Sequence, residues 1–387
     1  MCAGPPIPSV SGMRFAPIIV TLSAVALLAG CTSDQGSETA AGVSDNKIRA
    51  VQADIDRIVA AGVTGAIATV TDNGKTVVLT SGVADMATGA AIPADPPQRV
   101  RAGSITKTFT SAIVLQLVSE GKVRLDEPVD TYLPGLLTGD GIDGRAITVR
   151  QLLRHQTGLP DFADDPRADE YQAVLNDRTM TPAEAVAMTL ERPAVFAPGT
   201  RWEYSNINYI VAGMLIEKVT GASYVDELNR RILQPQGLAD TYLPGPGERD
   251  IRGPHPKGYA VVNGTVTDVS RTEPSIPWAG GALVATGADL NRFYAALAAG
   301  RVVPADELRE MRDAVPAGPD ATMDYGLGLG SMRLSCGAQF FGHGGGIYGY
   351  LTLTGATTEG RAVTYQFTKD MEAEPEAIAI LSDALCP

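Results

Sequence analysis

Residues 101–120, RAGSITKTFTSAIVLQLVSE, decide how the rest of the chain is read. Phe109, Ile113, Val114, Leu117 and Val118 recur at helical spacing with no breaker before Gly121, which predicts a buried helix. Ser104-Ile105-Thr106-Lys107 fills its first turn. Residues three apart share a helical face, so the Ser104 hydroxyl and the Lys107 amine can reach hydrogen-bond distance. The helix N-terminus adds unpaired N–H groups and the positive end of the dipole, which favour negative charge beside the serine. That is the geometry an acyl-transfer nucleophile needs. The pattern alone is not selective. Ser44-Asp45-Asn46-Lys47 has the same spacing in a Ser/Gly/Ala stretch with no buried helix behind it, and the simpler role for a serine at a helix start is an N-cap.

Two further clusters single out Ser104. Tyr204-Ser205-Asn206 is the only Tyr-x-Asn among twelve tyrosines, and it lies between the Pro198-Gly199 break and a helix. His343-Gly344-Gly345-Gly346 is expected to end one strand and open the next, where glycines let a substrate backbone approach and leave N–H groups exposed. The three histidines include no metal spacing such as His-Glu-x-x-His, and there is no Gly-x-Ser-x-Gly, so no metal or cofactor is implied and the α/β-hydrolase reading loses its marker. His155 reads as a structural hydrogen-bonder at a helix end and His255 as surface loop. Trp202 reads as core, and Asp161, Asp164 and Asp165 as a solvated loop.

At 387 residues the chain can bury a sizeable core, and a net charge of -13 argues against nucleic acid as a partner. Met13-Arg14 opens a short positive region, and Pro17 to Leu28 is an apolar run of twelve, too short to span a bilayer as a permanent helix. Translation starts at Met1 or Met13. Leu28-Ala29-Gly30-Cys31 resembles a bacterial lipobox, and that resemblance implies a lipidated Cys31 and an exported protein anchored on the outer side of the cytoplasmic membrane. Beyond Cys2 and Cys31, Cys336 and Cys386 remain as an even pair in an exported chain and are expected to form a disulfide.

In order, residues 1–30 read as a lipoprotein signal peptide and 31–46 as a flexible tether. Residues 47–124 and 273–387 read as one α/β sheet domain, and 125–272 as a mostly helical insertion. Thr71-Asp72-Asn73-Gly74 separates two β-prone runs and predicts a hairpin. Alternation at Val363, Tyr365 and Phe367 predicts a sheet half covered by helices. The fold class is therefore α+β: an antiparallel sheet assembled from both ends of the chain and flanked by helices.

The order Ser-x-x-Lys, Tyr-x-Asn, His-x-Gly resembles the serine penicillin-recognising family: class C β-lactamases, D-alanyl-D-alanine carboxypeptidases and related esterases. The likeness extends to residues 121–126 and 132–134, to Leu152-Leu153-Arg154-His155-Gln156-Thr157-Gly158-Leu159-Pro160, and to 196–213, 235–238 and 280–284. It implies a β-lactamase/transpeptidase-like fold and catalysis by Ser104, Lys107 and Tyr204. Asn206, His343, Gly344, Gly345 and Gly346 would bind substrate, with Ser104 and Gly346 N–H groups forming an oxyanion hole. An ammonium about 4 Å from the Tyr204 phenol would be worth roughly 4 kcal/mol at an effective dielectric of about 20, enough to lower its pKa by a few units.

One departure stands out. Where lactamases of this type carry Lys-Thr-Gly, this chain has His343, which is charged only in part near neutral pH, so carboxylate recognition should weaken and become pH-dependent. The leading expectation is a D-alanyl-D-alanine carboxypeptidase-type serine hydrolase, monomeric, taking a small peptide, β-lactam or ester substrate. A β-lactamase or carboxylesterase of the same family and a catalytically silent binding or scaffolding lipoprotein are the alternatives.

Overall fold

The computed structural model describes residues 42–319, 321–368 and 376–387. The signal peptide, Cys31 and nearly all of the tether lie outside them. The first helix, α1 (Asp45–Ala60), is capped by Ser44, whose side chain accepts from Lys47 N at 3.3 Å. Ser44 thus has the simpler of the two roles open to a Ser-x-x-Lys serine, and Lys47 Nζ turns away to Asp72 at 3.3 Å. Strands β1 (Gly65–Asp72) and β2 (Lys75–Asp85) follow, joined through Asn73 and Gly74. Both turn residues have positive φ, 48° and 74°, as a two-residue hairpin requires.

Next in the chain come α2 (Thr106–Ser119), α3 (Ile207–Thr220) and α4 (Gly287–Ala298). They are followed by β3 (Gly330–Arg333), β4 (Gln339–Ile347), β5 (Tyr350–Thr357), β6 (Ala362–Phe367) and the closing helix α5 (Ala377–Leu385). Among the described residues one sheet has nine strands, ordered β3-β4-β5-β6-β1-β2 with short pieces at both edges. Every pair is antiparallel, and β1 meets β6 with Ala66 opposite Phe367. The N-terminal hairpin therefore completes a sheet otherwise built from the C-terminal part.

Two cores hold this arrangement. Val51, Ile55 and Ile58 of α1 and Ile380, Leu381 and Ala384 of α5 pack on Ala66, Ala68, Val363, Tyr365 and Phe367. On the other face, α4 crosses the sheet and continues into the larger core around α2 and α3. The sheet is covered on both faces, not one, since all six residues of β6 are buried. Its alternation has another cause. Thr364 Oγ1 donates to Asn291 Oδ1 at 2.8 Å, and Asn291 Nδ2 donates to Thr69 O at 2.9 Å. The polar residues of β6 face a satisfied hydrogen-bond network under α4 where solvent was expected.

Two strand boundaries also differ from the sequence reading. The run 325–333 is broken into Asp324–Tyr325 and Gly330–Arg333 by a turn in which Gly326 N donates to Leu329 O at 2.8 Å. The segment His343-Gly344-Gly345-Gly346 lies inside β4 and does not punctuate two strands. Its register is set by pairing with β5, His343 opposite Thr354 and Gly346 opposite Leu351.

Cys336, in the turn between β3 and β4, is bonded to Cys386 at the end of α5, with Cα atoms 5.9 Å apart. The bond staples the terminal helix to the strand pair that carries His343. Closing a loop of 50 residues stabilises the fold by about 4 kcal/mol on the chain-entropy model. Reduction should lower the melting temperature by several degrees in a thermal melt with and without dithiothreitol; an unchanged melting temperature would contradict this.

Candidate active site

Ser104 lies in a single 3₁₀ turn, Gly103–Ile105, that leads directly into α2. Its side chain does not cap the helix. Gly103 adopts φ +54°, and a Cβ there would meet the backbone of Gly346 at 2.7–3.0 Å. A Cβ on Gly345 would meet Ala102 O at 2.0 Å and Ile105 N at 3.0 Å. The serine turn and β4 therefore pack backbone against backbone, an approach only glycine permits. This brings Gly346, as expected, beside the serine turn.

Lys107 is one turn on and fully buried. Its Nζ lies 2.9 Å from Ser104 Oγ, 2.8 Å from Asn206 Oδ1 and 2.7 Å from Gly280 O. Burial depresses its pKa to about 7, with the charge of Asp161 acting in the opposite direction. The amide oxygen and the carbonyl oxygen can only accept, so two N–H bonds of Lys107 are committed to them. The third tetrahedral position faces Ser104. An ammonium donates there, and a free amine presents its lone pair to the serine O–H. The geometry is the same in both states, which suits a base.

Tyr204 closes the site from the segment before α3. Its hydroxyl shares a hydrogen bond with the Ser104 side chain, and Lys107 Nζ lies 4.9 Å from its ring centroid. Burial raises the Tyr204 pKa above the ordinary tyrosine value, with the Ser104 hydrogen bond pulling weakly the other way. The expectation of a lowered Tyr204 pKa is thus reversed. Desolvation outweighs the ammonium because that same desolvation has removed much of the charge from Lys107. The phenol stays protonated while the amine is free.

His343 is also buried, and its surroundings overturn the expectation of partial charge near neutral pH. Tyr325 OH lies 2.9 Å from Nε2, and Nδ1 bonds Gly344 O. The carbonyl can only accept, so Nδ1 carries the proton and Nε2 accepts from Tyr325, the arrangement of a neutral imidazole. Burial depresses its pKa to about 4. Burial comes from the packing of the whole site, so this neutralisation was not legible in the His-x-Gly motif.

Behind these groups sits His155, fully buried at φ +57°. Its Nδ1 faces Ser205 N at 3.2 Å and Asn208 Nδ2 at 3.1 Å, its carbonyl accepts from Glu203 N at 3.0 Å, and its ring lies 4.2 Å from that of Tyr204. It is the structural hydrogen-bonder expected, and what it grips is the Tyr204 segment. Trp202 is half-buried, its ring 6.3 Å from Tyr204 and 5.8 Å from Tyr325.

Asp164 and Asp165 pair with Arg192 and Arg167, as members of a solvated loop do. Asp161 does not. It is buried, and its Oδ2 accepts from Asn206 Nδ2 at 2.8 Å. The sequence signal overlooked was its flanks, since Leu159 and Phe162 are both core residues.

A family model described as Beta-lactamase matches residues 49–385. The structure is similar to that of a D-stereospecific amidohydrolase from Streptomyces sp., with 36% identity and a TM-score of 0.80 over 89% of this chain and 99% of that one. It is similar also to a D-amino acid amidase from Ochrobactrum anthropi SV3 solved with L-phenylalanine amide, with 29% identity and a TM-score of 0.76 over 88% of this chain and 98% of that one. In sequence it is similar to Penicillin-binding protein 4 of Amycolatopsis lactamdurans, 33% identical over 162 residues, 41% of this chain and 39% of that protein. The chain spans about two fifths or less of the length of the curated relatives it matches.

The contact between β4 and the serine turn makes a direct prediction. Gly345→Ala must push the strand off Ala102 and Ile105, costing about 1–3 kcal/mol of stability and most of any activity. A variant with wild-type melting temperature and wild-type turnover would contradict the contact.

Proposed function

The chain belongs to the Beta-lactamase family, and from that premise we propose that it is a serine hydrolase that forms an acyl-enzyme at Ser104. The observation that carries this reading is a fully buried amine 2.9 Å from a serine hydroxyl at the start of a helix. Lys107, as the free amine, takes the Ser104 proton while the oxygen attacks the substrate carbonyl. N–H groups of Ser104 and Gly346 hold the oxyanion. Tyr204, a protonated phenol hydrogen-bonded to Ser104, gives its proton to the leaving nitrogen and regains one from the Lys107 ammonium. Asn206 keeps one amide hydrogen for the substrate. Water, deprotonated by the same amine, then releases the acyl group.

The substrate class follows from His343. A lysine in that slot would meet a carboxylate with a fixed charge; a neutral imidazole bonded to Tyr325 does not. We therefore favour amides and small esters of D-amino acids over peptides ending in a free carboxylate. The similarity to a D-stereospecific amidohydrolase and a D-amino acid amidase supports this. The carboxypeptidase reading shares every step to the acyl-enzyme and differs in the group released. Penicillin turnover is disfavoured for the same reason, since the β-lactam carboxylate lacks its cation. The lipobox-like Leu28-Ala29-Gly30-Cys31 supports an enzyme outside the cytoplasmic membrane, anchored through Cys31, and a Cys336–Cys386 bond is compatible with an oxidising compartment.

Three outcomes test this. Ser104→Ala should lower turnover of a D-amino acid amide by at least about 10³-fold with little change in melting temperature; retained turnover would end the nucleophile assignment, and no reaction of the wild type with any acyl donor would favour a scaffold. In a panel of D-phenylalanine amide, an acyl-D-Ala-D-Ala peptide and nitrocefin, the amide should react fastest, and a fastest nitrocefin would favour the lactamase. The rate should also rise with pH through a midpoint near 7, where Lys107 loses its proton, and then stay level because the raised Tyr204 does not ionise in that range. A profile that climbs only above pH 9 would contradict Lys107 as the base.

A further inference from the structure

We propose that Asp161 is a positioning residue that fixes which way the Asn206 amide faces and, through it, holds Lys107 ready to act as the base. The inference rests on the acyl-transfer reading of Ser104 and Lys107 and extends it to a residue outside the three motifs. A primary amide has two ends of nearly the same shape, and only its partners decide their order. A carboxylate accepts and cannot donate. With Asp161 Oδ2 2.8 Å from one end of Asn206, that end is Nδ2, and the oxygen is left 2.8 Å from Lys107 Nζ. Rotated by half a turn, the amide would aim two N–H donors at an amine that already donates to Gly280 O at 2.7 Å. Lys107 would then lose an acceptor and change its orientation toward Ser104.

The surroundings of Asp161 show that it is built for this and is not a loop carboxylate that happens to be covered. It is 7% exposed, and among the described residues no cation bonds its carboxyl group. Besides Asn206 Nδ2, the carboxyl group accepts from the Asn206 backbone N–H and from Ala163 N at 3.1 Å. Burial pushes the Asp161 pKa up, and these N–H bonds oppose it; the carboxyl group also stands at the N-terminus of α3, where the helix dipole favours a negative charge. Arg192 bonds the Asp161 carbonyl oxygen and pairs with Asp164 at 3.7 Å, which pins the loop from outside. By contrast Asp165, four residues on, is neutralised directly by Arg167 at 2.6 Å.

Asp161 is also the carboxylate whose charge acts on Lys107. The other groups facing the amine carry no charge near neutral pH: Ser104, Asn206, the rings of Tyr204 and Tyr209, and the two buried histidines His155 and His343. On the Asp161 side the neighbouring charges are Asp164 and Arg192. Removing the Asp161 charge takes away what holds the Lys107 proton on, so the amine should become free at lower pH. A residue that merely capped α3 would change stability and leave that midpoint where it was.

The test is the pH dependence of acylation by p-nitrophenyl acetate, a neutral acyl donor, from pH 5 to 9. Wild type, Asp161→Asn, Asp161→Ser and Asp161→Glu are compared in the full chain, with Ser104→Ala as control and melting temperatures measured for all. Both neutral variants should show the midpoint lowered by about one pH unit and the plateau rate reduced about tenfold or more, while Asp161→Glu keeps the wild-type midpoint. Either neutral variant that folds decides the matter. An unmoved midpoint overturns the proposal, whether or not the rate falls, as does a midpoint that moves equally in Asp161→Glu. If neither neutral variant folds, Asp161 is a structural cap and the proposal is likewise overturned. Reaction that persists in Ser104→Ala would instead remove the acyl-transfer reading itself, a result distinguishable from all of these.

Discussion

A primary amine sealed from solvent and, among the described residues, bonded to no carboxylate is the constraint on which the rest of the structure depends. Lys107 is fully buried, and its contacts are a hydroxyl, an amide oxygen and a peptide carbonyl. Keeping an ammonium there is costly, and the protein meets the cost by letting the proton go near pH 7. The unfolded chain binds that proton up to about the ordinary lysine value, 10.5. Between the two values the folded state holds fewer protons, so this group makes stability rise with pH from about 7 to 10.5 and penalises the fold below that window. A group kept at such expense in the interior, aimed at a serine, fits a role in chemistry better than one in packing.

Each partner of that amine comes from a different part of the chain, and the fold accounts for their meeting. Ser104 lies in the 3₁₀ turn that leads into α2, Asn206 precedes α3, Gly280 belongs to the short turn Trp278–Gly281, and β4 closes the fourth side. The two helices pack on each other in the larger core, while β4 can come close only because Gly103 and Gly345 leave room for backbone contact. His155, held at positive φ, ties the Tyr204 segment by main chain and side chain together. Small residues and one strained residue thus do what larger side chains would prevent.

Much of this was legible in the sequence. Spacing in residues 101–120 predicted the helix and the meeting of Ser104 with Lys107, because both depend on local geometry alone. Asn73-Gly74 predicted the first hairpin for the same reason, and the order of three short motifs, read as a family resemblance, suggested the overall fold. The errors share one cause, burial that local spacing does not reveal. His343 is kept neutral by burial, and Tyr204 is raised where a neighbouring charge alone would have lowered it. The alternation in β6 reflects Asn291 on α4, not solvent. Asp161 read as one of three loop aspartates, yet it is buried against Asn206 across 45 residues of sequence. No periodicity or spacing rule carries such information.

The claim at the centre is that Lys107 is a free amine at working pH, and a titration of that side chain tests it most directly. With lysines labelled at Cε, the Lys107 signal can be assigned by its loss in Lys107→Met and followed by NMR from pH 5 to 11. The account predicts a midpoint near 7, well apart from the surface lysines. A Lys107 signal that titrates with the others, near the ordinary value of 10.5, would contradict it.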